Sequence, residues 1–185
     1  MHSKFKIMAT KTWALDPTHS EVQFKIKHLM ITNVTGSFDI FTVSAQTEDE
    51  DFTKAKVSFT ADVNSISTNN EQRDGHLKSA DFFDAEKYPQ IKFEATKNEN
   101  VDSDGSYDLF GDLTIRDVTK NIKLSVEFGG VVKDPYGNTK AGFTINGKIN
   151  RKDFGLTWSA VTEAGGVVVS DEVRIAVEIQ LIEQA

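Results

Sequence analysis

Hydrophobic and polar residues alternate with a period of two along most of this chain. The clearest run lies in residues 169–182, where Val173, Ile175 and Val177 alternate with Arg174 and Ala176. Because successive side chains of a strand point to opposite faces, this alternation predicts antiparallel strands with one buried face. Further runs of the same kind begin at Val22, Val57, Ile91, Leu109 and Ile122.

Turn-forming residues separate these runs and predict how the strands are joined. Residues 102–105 and 134–138 combine Asp, Asn and Gly, which are typical of tight connections. Isolated glycines inside strand patterns indicate bulges or bends, as in a sheet that curls on itself; they are Gly36, Gly111, Gly142 and Gly147. About eight strands are expected, and an up-and-down antiparallel barrel removes their free edges. The 13 phenylalanines predict an apolar interior.

One short segment departs from the strand pattern. Residues Ser67–Ala80 are predicted to contain the only helix, capped by Thr68, Asn69 or Asn70. Gly75 weakens the expectation of an unbroken helix. The sequence therefore predicts an all-β fold, an extended eight-stranded antiparallel up-and-down barrel with one short helix.

Length, charge and composition exclude several classes of protein. The chain has 185 residues, which fits one domain over residues 12–185, preceded by a leader or disordered N-terminus over residues 1–11. With no cysteine, the chain has no disulfides and no thiolate nucleophile. A net charge of -7 argues against a nucleic-acid partner.

The location of the protein is predicted from two absences. No run approaches the roughly 18 apolar residues of a membrane helix, so stable membrane insertion is not expected. The N-terminus also carries no apolar segment of the length found in export signals. We therefore expect a cytoplasmic protein, or a periplasmic one if an export leader has been replaced.

Candidate chemistry is limited to a few polar side chains. The common signatures of nucleophilic, nucleotide-dependent and zinc enzymes are missing. The candidate polar residues include three of the four histidines, His19, His28 and His76. They lack the short spacing of a ligand pair, so neither a metal nor another cofactor is expected.

Each of these polar residues has an interpretation without catalysis. His19 is expected to fix a turn, and His28 lies on the apolar face of its strand, as a core residue or a ligand contact. Arg73 is expected to form a buried ion pair with Asp153 that holds the helix to the barrel.

His76 has two interpretations. It caps the helix in an ion pair, or it acts with Asp74 as an acid–base pair. The aromatic residues that follow it are core residues or the wall of a pocket; they are Phe82, Phe83, Tyr88 and Phe93.

Several multi-residue blocks, in order from about Thr12 to Glu183, resemble the YceI-like family of polyisoprenoid-binding, lipocalin-like barrels. These blocks are Trp13–Ser20, Lys27–Met30, Gly36–Phe38, Asn70–Asp74, His76–Leu77, Ser79–Asp84, Tyr88–Pro89, Gly111–Ile115, Val118–Lys120 and Ile149–Leu156. Two positions depart from the family pattern: Asp117 stands where Gly is usual, and Gly75 stands where Ala is common.

The resemblance implies a barrel with a helix at its mouth and a long apolar channel. The expected function is non-enzymatic binding, sequestration or transport of a long-chain polyisoprenoid, such as an isoprenoid quinone, or a similar lipid. The expected ligand contacts are Phe24, Ile26, His28, Phe38, Val57, Phe59, Arg73, His76, Phe82, Phe93, Phe154 and Trp158. Asp74 and Asp81 are expected either at the polar head-group end or in the contacts that hold the helix to the barrel. Family members often pair as homodimers.

Two alternatives stay open at this point. One is a stress-associated structural barrel with a filled interior and no ligand, because strand glycines and phenylalanines suit a filled barrel equally well. The other is a lipid-modifying enzyme that uses His76.

Overall fold

Strands dominate the computed structural model, which describes residues 9–159 and 168–185. The single α-helix of these residues, α1, covers Glu71–Lys78. The strand segments are β1 (Thr10–Leu15), β2 (Glu21–His28), β3 (Thr32–Phe38), β4 (Phe41–Glu48), β5 (Asp51–Asp62), β6 (Ile66–Ser67), β7 (Gln90–Glu99), β8 (Tyr107–Ile115), β9 (Val118–Lys133), β10 (Thr139–Asn150) and β11 (Val169–Glu183).

These eleven segments form eight barrel strands, because three of the strands are interrupted. β1 and β2 together form one interrupted strand, since both pair with β11. β3 with β4, and β5 with β6, form two further interrupted strands. Every neighbouring pair is antiparallel, and the pairing of β1 with β11 closes the ring. The predicted eight-stranded up-and-down barrel is confirmed.

The N-terminal boundary differs from the expected one. β1 begins at Thr10, where Thr10 and Lys11 pair with Glu48 and Thr47 of β4. Residues 10 and 11 therefore belong to the barrel, because their backbone groups complete its ladder. The expected leader lies outside the described residues as far as residue 8.

The interruption between β1 and β2 is held by a buried carboxylate. Asp16 accepts hydrogen bonds from Thr18 and from Nζ of Lys140 at 2.7 Å, and its Oδ2 lies 2.8 Å from Nδ1 of His19. The hydrogen bond from Lys140 holds the pKa of Asp16 well below its usual range. The prediction that His19 fixes a turn is confirmed.

The strand glycines serve two purposes, of which only one was predicted. At Gly142 the ladder between β9 and β10 shifts register, so a bulge is present as predicted. Gly36, Gly111 and Gly147 instead lie beneath a side chain from the neighbouring strand. At Gly111 the ladder with β7 also shifts register, between Ala95 and Lys97, so a bulge accompanies the close contact there. At Gly36 and Gly147 the ladders run without a shift, so the bulge interpretation was wrong at these two positions.

The two ends of the barrel differ. At the end that holds the β7–β8 turn, the rings of Trp13 and Phe52 lie 4.9 Å apart, and Phe128 and Phe143 pack against Phe52. We call these four residues the aromatic floor. At the opposite end β5 and β7 separate beyond the pair Asp62–Gln90, and the chain between β6 and β7 contains α1. We call this end the mouth.

Candidate binding cavity

The barrel encloses an apolar cavity of about 420 Å³. This volume falls within the roughly 300–1,000 Å³ of sites that take small molecules. Its wall is formed by the inward-facing side chains of the strands, so the period-two pattern of the sequence becomes the lining. The two alternating faces of β11 show this directly, since Val173, Ile175 and Val177 line the cavity while Arg174 is exposed.

The structure places nearly all of the predicted contact residues in this wall. Those that line the cavity are Phe24, Ile26, His28, Phe38, Val57, Phe59, Arg73, His76, Phe82, Phe93 and Trp158. Their role as ligand contacts stays a prediction. His28 differs from its core interpretation, because it is exposed at the end of β2.

Phe154 is the one predicted residue outside this wall. It lies in a short 3-10 helix, Arg151–Phe154, and only 1% of its surface is exposed. Its neighbours are core residues, so it contributes to stability and not to the lining. Strand alternation gave no guidance here, because the chain leaves the strand geometry after Asn150.

The aromatic floor ends the cavity on one side. Phe52 and Phe143 line the cavity, whereas Trp13 lies behind them and donates from Nε1 to Thr47 at 2.9 Å. Near the floor, burial and the charge of Asp51 raise the pKa of Tyr107 to about 12, so its hydroxyl stays protonated at neutral pH.

A cluster of three rings and one carboxylate stands at the mouth. His76 meets Trp158 edge-on at 4.9 Å and Phe82 at 5.1 Å, and its Nε2 lies 2.9 Å from Oδ2 of Asp81. The pairing of His76 with Asp74 was wrong. Asp74 points back to the start of α1, where it accepts from the backbone and hydroxyl of Thr68.

Arg73 also differs from its expected role. Its Nε and Nη2 donate to the hydroxyl and the carbonyl of Thr68, both at 2.7 Å. Asp153 is exposed in the 3-10 helix, and no ion pair joins it to Arg73 in the part of the chain that the structure describes. The expected lock therefore exists as a set of hydrogen bonds to Thr68. The cap of α1 is Asn70, one of the three predicted.

A buried arginine that the sequence did not single out supports the mouth. Arg151 is 2% exposed and donates to the carbonyls of Leu156 at 2.7 Å, Trp158 at 2.6 Å and Ser170 at 2.9 Å. Burial lowers its pKa, but a guanidinium stays charged at physiological pH. Arg151 thus fixes the backbone of Trp158 against the start of β11.

The lining is apolar apart from a few cationic and neutral polar side chains. Its charged side chains are all cationic, namely Lys27, Arg73 and Arg151, and no Asp, Glu, Ser or Cys is among the described residues that line it. The same residues hold no cluster of three metal-ligating side chains. No helix in residues 9–159 and 168–185 is long and apolar enough to cross a membrane.

Because its wall is apolar and its cationic side chains lie at the mouth, the cavity can bury an apolar chain and leave a polar group at the mouth.

Known proteins share both the sequence and the fold. A family model described as the YceI-like domain matches residues 13–181. The UPF0312 protein SA2479 of Staphylococcus aureus (strain N315) is 39% identical over 166 residues, which cover 88% of this chain and 92% of that protein. The YCEI protein of Campylobacter jejuni is 38% identical with a TM-score of 0.73, over 92% of this chain and 97% of that chain.

A more distant structure shares the fold alone. It is described as a polyisoprenoid binding domain from Saccharophagus degradans, and it is 17% identical with a TM-score of 0.64. The match covers 93% of this chain and 98% of that domain.

Proposed function

This chain belongs to the YceI-like family, and we propose that its cavity binds the hydrocarbon chain of a polyisoprenoid, such as that of an isoprenoid quinone. The observation that carries the proposal is the closed barrel with an apolar cavity of about 420 Å³. Binding in such a cavity sequesters or carries the lipid in water without chemical change. The distant structural neighbour described as a polyisoprenoid binding domain agrees with this proposal.

The length of the ligand follows from the energetics of burial. Micromolar affinity needs about 8 kcal/mol, and association itself costs on the order of 10 kcal/mol. At about 0.8 kcal/mol for each buried methylene-sized group, roughly 20 carbons supply this total. Four isoprene units contain that number, whereas a short acyl fragment does not. Burial in the apolar cavity therefore favours a polyprenyl chain over a short acyl fragment.

The distribution of charge supports one orientation of the ligand. The cationic and imidazole groups of the lining, including Lys27, His28 and His76, lie at the mouth, and the aromatic floor lies at the other end. An apolar tail directed to the floor leaves the polar head group beside these donors. A reversed ligand would bury its head group among phenylalanines, at a large desolvation cost.

Native mass spectrometry of gently purified protein tests the proposal. We expect a mass above that of the chain, and we expect apo protein to take up an isoprenoid quinone with a tail of four or more units. A quinone with the same head group and a one-unit tail is the control and should not bind detectably. A clean apo mass together with no uptake of the long-tailed quinone would refute the proposal.

A filled structural barrel is the less favoured alternative, because the interior holds the cavity described above. A lipid-modifying enzyme is disfavoured by the geometry of the mouth. His76 pairs with Asp81 in a half-exposed site, and none of the described residues of the lining supplies a serine or cysteine nucleophile.

A further inference from the structure

An exposed group of large apolar side chains occupies the tip of the β2–β3 hairpin. Leu29 is 39% exposed, Met30 is 53% exposed and Ile31 is 79% exposed. We call residues 29–31 the apolar tip. Three consecutive large apolar residues in water are unfavourable, and an exposed apolar patch of this kind marks an interaction site.

The backbone of the apolar tip is as unusual as its side chains. Leu29 has φ 53° and Met30 has φ 60°, and the amide of Ile31 donates to the carbonyl of His28. In the four-residue turn His28–Ile31, Leu29 and Met30 are the two central residues. Positive φ at both of them is the geometry of a type I′ turn, which strongly favours Asn-Gly. Leucine and methionine are disfavoured there. Neither the turn nor the core therefore explains these side chains.

The apolar tip lies beside the mouth of the cavity. His28 directly precedes it and lines the cavity, as do Ile26 and Val34 on the two strands of the same hairpin. The tip thus adjoins the rim of the cavity, one residue beyond its lining. A lipid that leaves a bilayer at this point keeps an apolar contact along the way.

The charged side chains that β2 carries beside the tip are positive, although the whole chain carries -7. Lys25 and Lys27 are exposed on β2, and Lys25 pairs in register with Arg174 of β11. Two carboxylates of β11 lie nearby, and each has a cation of its own: Glu172 lies 3.4 Å from Arg174, and Asp171 lies 3.3 Å from Lys152. The remaining lysines favour a surface with negative head groups.

We propose that the apolar tip is a membrane-docking element, which inserts into the surface of an anionic lipid bilayer and places the mouth of the cavity against it. Leu29, Met30 and Ile31 enter the head-group boundary, while Lys25 and Lys27 contact lipid phosphates. Such shallow insertion anchors a protein reversibly, because few side chains are buried. This inference rests on the proposed lipid-binding function for its purpose, but the docking itself is tested separately.

Replacement of the turn separates docking from folding. Leu29→Asn combined with Met30→Gly removes two apolar side chains and installs the preferred type I′ pair. The variant should be at least as stable as the unchanged protein, yet its partitioning to vesicles of equal phosphatidylglycerol and phosphatidylcholine should fall about tenfold or more. Cosedimentation measures the binding, and thermal unfolding measures the stability.

Two further variants complete the test. Val101→Ser removes an apolar side chain that is 51% exposed at the floor end, and it should leave vesicle binding unchanged. Lys25→Gln with Lys27→Gln should weaken binding to these vesicles several-fold but not to pure phosphatidylcholine.

Several results would overturn the docking proposal. One is that the unchanged protein does not bind the vesicles, and another is that the Leu29→Asn, Met30→Gly variant binds them equally well. A third is that the protein is a dimer and that this variant abolishes the dimer, since the tip would then contact a second copy of the chain. Failure of the cavity proposal looks different, because the protein would then take up no quinone from detergent solution whether or not it binds vesicles.

Discussion

The ring of Phe24 on β2 lies directly over Gly36 on β3. The two residues are partners in the ladder, and a Cβ built at position 36 would overlap Cζ of Phe24. The glycine thus leaves the space in which an aromatic ring of the cavity wall lies. The ring of Phe93 on β7 covers Gly111 on β8 in the same way, although its own ladder partner is Leu113.

Substitution Gly36→Ala should displace the ring of Phe24 and destabilise the barrel. Because the added methyl group meets a packed ring, we expect a loss of about 1–3 kcal/mol in the free energy of unfolding. Urea denaturation measures it. An unchanged midpoint would show that the ring moves away without cost.

Substitution Gly75→Ala is the matched control and should act in the opposite direction. Gly75 lies in α1 with nothing within 4 Å of the new Cβ. Alanine lowers the entropy of the unfolded chain and favours the helix, so a gain of about 0.5–1 kcal/mol is expected. The same urea series tests it, and a loss of stability would contradict the open environment of this position.

Substitution Val177→Phe should reduce ligand uptake by filling the cavity. Val177 lines the cavity near the middle of β11, where its ladder partners are Val22 and Ile145. Ala176→Phe adds a ring of the same kind to the opposite face of the strand and is the control. If quinone uptake, measured by native mass spectrometry, falls about tenfold or more for Val177→Phe alone, the ligand occupies the barrel interior. Equal uptake by the two variants would place the ligand elsewhere.

Asp16 should make stability depend on pH in the acid range. Its pKa is lowered in the folded state, so its contribution is complete above the unfolded value of about 3.9 and is lost as the pH falls through the folded value. Asp16→Asn should cost about 1–3 kcal/mol at pH 7, because Lys140 loses a charged partner. The difference between the two proteins should shrink steadily below about pH 4. A constant difference in denaturation midpoints between pH 7 and pH 2 would contradict this.

Substitution Arg151→Lys should loosen the mouth without changing its charge. An ammonium cannot donate in the planar fork that reaches the carbonyls of Leu156, Trp158 and Ser170, so we expect a loss of about 1–3 kcal/mol. Acrylamide quenching of tryptophan fluorescence should increase. The increase reports on Trp158, since Trp13 is only 2% exposed. Unchanged quenching would show that Trp158 is held by its ring contacts alone.

The period-two pattern of the sequence determined the strands, the barrel and most of the cavity wall. Residues of β2, β5 and β11 alternate along the chain, and in a strand this alternation is itself the separation between interior and exterior. Asn70 was predictable as a cap for a similar reason, because a helix N-terminus depends on the few residues around it.

Contacts between residues far apart in the sequence were decided only by the tertiary structure. Arg151 bonds to carbonyls up to 19 residues away, and Asp16 pairs with Lys140 across 124 residues. No local pattern encodes such partners, because they depend on how the ladder brings distant strands together. The partners of His76 and Arg73 were missed for a related reason. The side chains of a short helix can contact residues that precede or follow the helix, and sequence spacing does not show which. Local periodicity therefore fixed which side chains face inward, while the closure of the barrel decided which polar groups meet at its mouth.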